Sequence, residues 1–314
     1  MLVHETEKPM VSVGDIKTVF RGSISINEPL AQYTSMKVGG PADYFLEPAD
    51  REDLVALVHY CREHHFPAMV LGRGSNLLVS DDGIRGAVVS LESALSGVYL
   101  DGEFVVAESG ARMTKLVDFC IQNGFAGMEW AAGIPGTVGG GIVMNAGAHG
   151  EQMSDHLVDV EVIREDQVVR VAKSQASFGY RSSAFRDAVV LSGRFSFPRA
   201  DRDALIRHRS ELIRKRNETQ PLNLPNSGSM FKNPPGTYAA RLIEQAGLKG
   251  KRVGGAQISE KHANFIVNLG DAKATDVLTL LDLTRRTVYQ NTGILLELEV
   301  KLVGFPSDVL VKAI

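Results

Sequence analysis

Residues 133–147 read GIPGTVGGGIVMNAG and hold six of the chain's 31 glycines. Glycine is costly inside a regular helix or strand, because folding removes more backbone freedom from it than from any other residue. A packed helix or strand would not tolerate this density without a reason. The stretch, which also carries Asn145, therefore predicts a loop that another group approaches closely.

A second glycine turn, GRGSN at residues 72–76, directly follows the short apolar run 68–71. Small residues with free backbone N–H groups after a strand can wrap a pyrophosphate, although a plain tight turn explains this segment equally well. The turn is not a P-loop, and Leu77 stands where the Rossmann fingerprint needs its third glycine. Two separated glycine loops together suggest one extended dinucleotide.

Around these loops, short β-like apolar runs alternate with helical patterns. Strands are predicted at residues 44–46, 68–71, 77–79, 87–91, 104–107, 158–163, 168–171, 189–195, 264–268 and 294–303. Helices are predicted from Asp50 onward and at residues 113–123, 201–217, 238–246 and 275–290. This mixture predicts an α+β fold.

Aperiodic and turn-rich segments suggest how the chain divides into domains. Residues 1–25 lack a firm periodicity and are predicted to form an N-terminal arm. The turn-rich segment 219–228 follows a charged helix and marks a boundary. We therefore expect one domain over residues 26–217 and a second over residues 218–314.

Composition excludes several function classes. The 34 Lys and Arg residues against 37 Asp and Glu form no like-charged block, so no nucleic-acid partner is expected. No apolar run approaches the ~20 residues of a membrane span, and the N-terminus lacks a signal-peptide pattern, so we expect a cytoplasmic protein without a membrane partner. Cys61 and Cys120 fit buried thiols of a reducing compartment.

The histidines at 59, 64 and 65 lack metal-ligand spacing, and no metal is expected.

Six segments in order resemble the UDP-N-acetylenolpyruvoylglucosamine reductase (MurB) family. They are GRGSNLLVSDDG (72–83), GMEWAAGIPGTVGGGIVMNAGAHG (127–150), FGYRSSAF (178–185), SGSMFKNP (227–234), GGAQISEKHANFIVN (254–268) and LLELEVKLVG (295–304). The resemblance implies two α+β subdomains, divided near residues 95–100, that clasp FAD in the vanillyl-alcohol-oxidase type of fold. It also implies a C-terminal α+β domain that closes on substrate. Only 70 positions separate Ser229 from Glu299, which is similar to the branch without a tyrosine-bearing lid.

Three catalytic residues follow from the resemblance. The proton donor falls on Ser229, the arginine on Arg181 and the glutamate on Glu299. Many relatives have proline before that glutamate, whereas this chain has Leu298, so Glu297 stays an alternative. In a strand, alternation would put both glutamates on the same face, and geometry alone would not separate them.

The implied reaction reduces the enolpyruvyl ether of a UDP-sugar to UDP-N-acetylmuramate in peptidoglycan precursor synthesis, with NADPH as the reductant and FAD as the carrier. Hydride goes to the methylene carbon, and an enolate beside a carboxylate must be stabilised and protonated. An arginine can bind a carboxylate bidentately, and a well-aimed hydroxyl can protonate a basic enolate. We expect a non-covalent flavin, because residues 72–80 contain no histidine or cysteine.

The cofactor and substrate contacts are expected as two sets. For FAD they are Gly72, Arg73, Gly74, Ser75, Asn76, Gly133, Pro135, Gly136, Thr137, Gly139, Gly140, Asn145 and Gly147. For the nucleotide sugar, which needs cations and amide donors, they are Tyr180, Arg216, Lys232, Asn233 and His262. A monomer is expected.

Two other functions stay open at this point. Another FAD-dependent oxidoreductase of the same fold would use oxygen on an alcohol or lactone, and the Ser229 segment argues against it. A nucleotide-sugar-binding module without turnover would be favoured if Arg181, Ser229 or Glu299 were missing, and all three are present.

Overall fold

The computed structural model describes residues 12–306 and 308–310. Within them lie seven α-helices and four short 3₁₀ helices. They are α1 (Val13–Lys17), α2 (Arg51–Glu63), α3 (Met113–Gln122), α4 (Val138–Val143), α5 (Arg202–Thr219), α6 (Ala239–Gln245) and α7 (Ala274–Thr292). Asp50 caps α2 and Asp201 caps α5 through their side chains, which accept from the N–H groups of Asp53 and Ala204.

The strands of the described residues form three larger sheets and two short pairs. They are β1 (Ser23–Pro29), β2 (Pro41–Glu47), β3 (Ala68–Leu71), β4 (Leu77–Val79), β5 (Ile84–Ser90), β6 (Val98–Asp101), β7 (Phe104–Glu108), β8 (Gly147–Ala148), β9 (Glu151–Gln152), β10 (Leu157–Arg164), β11 (Gln167–Ala172), β12 (Val189–Phe195), β13 (Asn226–Ser229), β14 (Arg252–Val253), β15 (Ala256–Ile258), β16 (Phe265–Asn268) and β17 (Lys301–Val303).

Two sheets make up the first two thirds of the chain. One is mixed, in the order β1-β2-β5-β3, and the other is antiparallel, in the order β11-β10-β12-β7-β6. The helices α3 and α4 bury apolar residues in the core of the second sheet. A third sheet, β13-β16-β15-β14, packs with α6 and α7 around a separate core. The α+β prediction is confirmed.

The third core is not built from the C-terminal part alone. Met36, Val38 and Leu78 belong to it, and β17 pairs in parallel with β4. Asn268 Nδ2 also donates to the Met36 carbonyl at 3.0 Å. The predicted boundary between residues 217 and 218 therefore does not separate two independent hydrophobic cores, because residues from both sides share the third core.

The N-terminal arm prediction is wrong for residues 12–25. This segment forms α1 and the start of β1, and Ile16 and Phe20 are buried in the core beneath α2. A single helical turn is too short for a periodicity to show in the sequence. Residues 1–11 of the predicted arm lie outside the described residues.

Residues 133–147 are also not wholly a loop, because the short helix α4 lies within them. A Cβ added to Gly139 would lie 2.7 Å from Ser109 Cβ, and one added to Gly141 would lie 2.5 Å from Met113 Cε. These two glycines let α4 lie directly against its neighbours. The group that approaches them is the chain itself.

The prediction of a final strand over residues 294–303 is wrong for residues 294–300. The N–H groups of Glu299 and Val300 both donate to the Met230 carbonyl. Successive N–H groups of a regular strand point to opposite sides, so this segment is irregular. Only residues 301–303 form β17, and Glu297 and Glu299 need not share a face.

Asp81, in the turn after β4, joins the two parts of the molecule. Its carboxylate accepts from the N–H groups of Ala274 and Thr275 at 2.8 and 3.0 Å, at the start of α7. The negative charge also lies where the helix dipole favours it. This contact caps a helix from 193 residues away in sequence.

We expect Asp81→Ala to lower the free energy of unfolding by about 1–2 kcal/mol, the usual loss for a helix cap. Urea unfolding followed by circular dichroism measures this. Asp82→Ala is the matched control, because the Asp82 carboxylate makes no hydrogen bond within the described residues. Equal losses in both variants would show that the cap contributes nothing.

No helix of the described residues is long and apolar enough to cross a membrane.

Candidate active site

The two glycine loops lie side by side. A Cβ added to Gly72 would lie 2.6 Å from Thr137 Oγ1, and one added to Gly136 would lie 3.2 Å from Ser75 Oγ. Within the described residues, the backbone N–H groups of residues 72–76, and of Gly133, Gly136 and Thr137, donate to no carbonyl. Unpaired N–H groups converging from two loops fit the pyrophosphate of a dinucleotide such as FAD.

Several predicted cofactor glycines have a packing role within the chain. Gly74 has φ +55°, and its Cβ would meet the Tyr33 carbonyl at 2.4 Å. The Cβ of Gly147 would meet the Glu151 carbonyl at 2.5 Å. Like Gly139, these residues let separate segments of the protein pack closely against each other. Gly140 differs, because it is exposed and its Cβ would make only an ordinary contact with Thr137 Oγ1 at 3.5 Å.

Gly140→Ala and Gly139→Ala should therefore change the stability of the protein in opposite directions. Alanine at 140 should stabilise α4 by ~0.5–1 kcal/mol in the apoprotein, and weaken flavin binding if the cofactor covers this face. Alanine at 139 should destabilise the fold, because Ser109 must move. Thermal unfolding with and without FAD, together with flavin titration, measures both. Unchanged flavin affinity in Gly140→Ala would remove Gly140 from the cofactor site.

The polar side chains of the two loops are largely engaged with the chain. Arg73 pairs with Glu92 at 3.2 Å, and Asn76 Nδ2 donates to the Glu299 carbonyl at 3.1 Å. Asn145 is 1% exposed, and both of its amide hydrogens are used, on the Gly179 carbonyl and on Gln152 Oε1. Pro135 offers no N–H. The loops therefore present mainly backbone groups to a ligand.

Arg216 of α5 lies beside the second glycine loop. A Cβ added to Gly133 would lie 3.5 Å from Arg216 Cδ. The Arg216 Nε is buried and has no hydrogen-bond partner among the described residues, and Ser109 Oγ is likewise unpartnered. Burial lowers the pKa of Arg216. A buried donor without an acceptor fits a site that binds an anion.

Arg181 and Glu299 form the central ion pair, although 118 positions separate them. Arg181 Nε donates to Glu299 Oε1 at 2.7 Å, and Nη2 donates to the Gly147 carbonyl at 2.8 Å. The Glu299 side chain is 16% exposed. Burial raises the pKa of Glu299, and the neighbouring Arg181 acts in the opposite direction.

Glu297, the alternative carboxylate, lies elsewhere. Its side chain is 75% exposed and pairs with Lys232 Nζ at 3.3 Å. The irregular backbone of residues 294–300 separates the two glutamates, which a regular strand would have kept on one face. The geometry therefore favours Glu299 as the carboxylate of the site.

Ser229 ends β13, and the backbone beside it contacts the Glu299 segment. Its strand partner is Phe265, and the next residue, Met230, accepts the Glu299 N–H at 2.9 Å. Within the described residues the Ser229 hydroxyl makes no hydrogen bond, whereas the nearby Ser227 Oγ donates to the Leu77 carbonyl at 3.0 Å. Ser229 thus has a hydroxyl that is free to meet a ligand.

The other predicted substrate contacts are placed unevenly. Tyr180 is half exposed, with Arg181 Cζ 4.9 Å from its ring centroid. Lys232 directly follows Phe231, whose backbone forms a β-bridge with Leu298. Asn233 Oδ1 caps α6 by accepting from the Ala239 N–H at 3.1 Å. His262 packs edge-on against Phe265, and burial lowers its pKa.

The sequence did not predict a role for Lys301, which lies two positions after Glu299 and is the first residue of β17. Burial lowers its pKa, with smaller contributions from the charges of Arg186 and Lys232. No described residue pairs with its ammonium group. No pattern in the sequence marks this residue, because a lysine near the end of a predicted strand is usually solvent-facing.

Within the described residues, no cluster of three or more His, Cys, Asp or Glu side chains could hold a metal ion. Cys61 and Cys120 are free and buried, and burial raises the pKa of both thiols.

The paired glycine loops fit a dinucleotide-binding protein, and two family models identify the class as a flavin-binding oxidoreductase. A family model described as "FAD binding domain" matches residues 42–172. A second, described as "UDP-N-acetylenolpyruvoylglucosamine reductase, C-terminal domain", matches residues 220–303. The two matches cover both glycine loops, Ser229 and Glu299.

Whole-chain relatives agree. The chain is 44% identical to the UDP-N-acetylenolpyruvoylglucosamine reductase of Chloroherpeton thalassium, covering 96% of this chain and 99% of that protein. It is 48% identical to UDP-N-acetylenolpyruvoylglucosamine reductase 2 of Symbiobacterium thermophilum, covering 90% and 93%. The crystal structure of the Thermus caldophilus reductase matches with a TM-score of 0.78 at 37% identity, covering 90% of this chain and 99% of that one. The chain belongs to the UDP-N-acetylenolpyruvoylglucosamine reductase family.

Proposed function

We propose that the protein reduces UDP-N-acetylenolpyruvoylglucosamine to UDP-N-acetylmuramate in peptidoglycan precursor synthesis, with NADPH as the electron donor. The carrying observation is the partly buried Arg181–Glu299 pair, which is tied to the first glycine loop through Asn76. The Glu299 N–H also donates to the carbonyl of Met230, the residue that follows Ser229. The family to which the chain belongs supports the same substrate. A cytoplasmic location and a monomeric state stay predictions.

The paired glycine loops would hold FAD without a covalent link. The unpaired N–H groups of residues 72–76, Gly133, Gly136 and Thr137 suit its pyrophosphate. Bound FAD would carry hydride from NADPH to the methylene carbon of the enolpyruvyl group. The protein is left to bind and orient the substrate, to stabilise negative charge and to deliver a proton.

Arg181 would bind the substrate carboxylate and stabilise the enolate that forms next to it. Its Nε and Nη2 are engaged with Glu299 and Gly147, which leaves Nη1 and one hydrogen of Nη2 for the ligand. Because the partial burial of the guanidinium weakens screening by water, its charge acts strongly on a nearby anion.

Ser229 Oγ would donate the proton to the enolate carbon. A serine hydroxyl is a weak acid, so the transfer needs a strongly basic acceptor at hydrogen-bonding distance. The absence of a hydrogen-bond acceptor for this hydroxyl among the described residues supports the role, because the proton is not committed elsewhere.

Glu299 would hold Arg181 in place and act as a polar partner to the enol. Burial raises its pKa, and this favours a carboxyl group that can share a proton. The Arg181 charge works against full protonation. Glu299 thus has an environment suited to assisting a proton relay, whereas the exposed Glu297 does not.

Lys232, Asn233, Tyr180, Arg216 and His262 are proposed as contacts for the sugar and diphosphate. Support is strongest for Lys232, which reaches the segment carrying Glu297 and Glu299. Arg216, next to Gly133, has a buried donor free for an anion and suits a phosphate. Asn233 keeps its amide N–H groups available while its oxygen caps α6.

One measurement tests the proposal. NADPH oxidation by the purified yellow holoenzyme should be slow without substrate and fast with UDP-N-acetylglucosamine enolpyruvate. UDP-N-acetylglucosamine, which lacks the enolpyruvyl group, serves as the control and should produce no acceleration. Rapid oxidation that depends on oxygen and ignores the enolpyruvyl sugar would instead indicate an oxidase.

A further inference from the structure

Within the second glycine loop, Asn145 follows the end of helix α4, and its backbone is left-handed with φ +42°. The Asn145 N–H donates to the Ile142 carbonyl at 3.1 Å, and the Ala146 N–H donates to the Gly141 carbonyl at 2.8 Å. This bond pair is the Schellman ending of helix α4. Glycine is the usual residue at this position, because it adopts the left-handed conformation without strain.

The asparagine side chain, by contrast, is fully used by the chain. Its Nδ2 donates to the Gly179 carbonyl at 3.0 Å and to Gln152 Oε1 at 2.9 Å, and its Oδ1 accepts from the Ser154 N–H at 3.1 Å. At 1% exposure it has no donor left for a cofactor. The amide therefore has a purpose other than direct contact with FAD.

Gly179 begins the tight turn that carries Arg181. Gly179 and Ser182 exchange two backbone hydrogen bonds, at 3.0 and 3.2 Å, and Tyr180 and Arg181 form the tip. Arg181 has φ +55°, a strained conformation for a residue with a long side chain. Such strain persists only where the surroundings hold it.

Residues 145–147 hold this turn at two points. Asn145 fixes the Gly179 carbonyl, and the Gly147 carbonyl accepts from Arg181 Nη2 at 2.8 Å. If the first contact were lost, the turn could relax and carry the guanidinium away from its place beside Glu299. Displacements of ~1 Å in a reacting group can cost ~10²-fold in rate.

We propose that Asn145 is a positioning residue for Arg181: its amide clamps the Gly179–Ser182 turn so that the guanidinium meets the substrate carboxylate. The inference rests on the proposed function of Arg181. It replaces the expectation that Asn145 contacts FAD.

Asn145→Gly tests this, because glycine keeps the helix ending and removes only the amide. The variant should bind FAD stoichiometrically, be reduced by NADPH within ~3-fold of the wild-type rate, and show substrate-dependent reoxidation slowed by ~10- to 100-fold. Asn123→Gly is the matched control, since it removes an asparagine amide that bonds only within its own helix, α3. Loss of FAD, or equal slowing of both half-reactions, would overturn the proposal.

A double-mutant cycle separates positioning from a general structural role. In an Arg181→Ala background, Asn145→Gly should change the reoxidation rate by less than ~3-fold, because the group it positions is gone. An effect as large as that seen with Arg181 present would refute the coupling.

A readout independent of turnover distinguishes failure of this inference from failure of the proposed function. In hydrogen–deuterium exchange, the peptide containing residues 176–185 should exchange faster in Asn145→Gly than in the wild type or in Asn123→Gly. Unchanged exchange would overturn the clamp even in an active enzyme. Faster exchange in a protein that never reduces the enolpyruvyl sugar would uphold the clamp and reject the substrate.

Discussion

Ser229→Ala should leave reduction of the bound flavin by NADPH nearly intact and slow reoxidation by the enolpyruvyl sugar by ~10²–10⁴-fold, as is typical of losing a positioned general acid. The two half-reactions separate because only the second places a proton on carbon. Anaerobic stopped-flow absorbance of the flavin follows both in one instrument.

Ser227→Ala is the control for this variant. It removes another hydroxyl of β13, but one that donates to the Leu77 carbonyl. The Ser227 variant should lose stability and keep both rates within a few-fold. Equal slowing of both half-reactions in Ser229→Ala would make Ser229 structural, and Glu299 or a bound water would become the next candidate for the proton donor.

Arg181→Lys should slow reoxidation by about 10²–10³-fold, the effect of removing a preorganised donor from a developing anion. Lysine keeps the charge but loses the planar fork, and with it the simultaneous contacts to Glu299, Gly147 and the substrate. Stopped-flow reoxidation measures the rate, and substrate titration of the oxidised flavin spectrum measures binding.

Arg62→Lys is the matched control, because Arg62 also pairs with a carboxylate, that of Asp166, but both side chains are about half exposed and neither is a site residue. It should alter neither rate. A reoxidation rate in Arg181→Lys within ~3-fold of the wild type would show that charge alone suffices and that bidentate binding does not contribute.

Local patterns predicted most of the regular structure correctly. Strands β3, β4 and β12 begin and end at the predicted residues. Strands β3 and β4 are short apolar runs bounded by turn residues, which makes their ends readable from the sequence. Asp50 was predicted to open α2, and its side chain accepts the Asp53 N–H as an N-cap. These elements depend on interactions within a few residues.

Predictions that depended on distant contacts were less accurate. Alternation alone indicated a strand through residues 294–303, but the Met230 carbonyl draws in two successive N–H groups and breaks the pattern. Helix α4 was unexpected because propensity disfavours three glycines in six residues. Packing against Ser109 and Met113 reverses that preference.

The site residues divide in the same way. Arg181, Ser229 and Glu299 came from motif resemblance, and the structure joins Arg181 to Glu299 by a direct hydrogen bond. The separation of Glu299 from Glu297 could not be predicted, because it depends on a backbone irregularity made by a carbonyl about 70 positions upstream. The unpaired Lys301 went unnoticed for a related reason, since burial is a tertiary property.

The parallel pairing of β4 with β17 has a consequence for how the enzyme is made. The first glycine loop lies just before β4, whose partner in this pair is residues 301–303. On a ribosome adding ~5–20 residues per second, β17 emerges on the order of ten to fifty seconds after β4. The nascent chain thus carries both glycine loops well before β4 gains this partner, and we expect stoichiometric flavin binding only after residues 301–303 have left the ribosome.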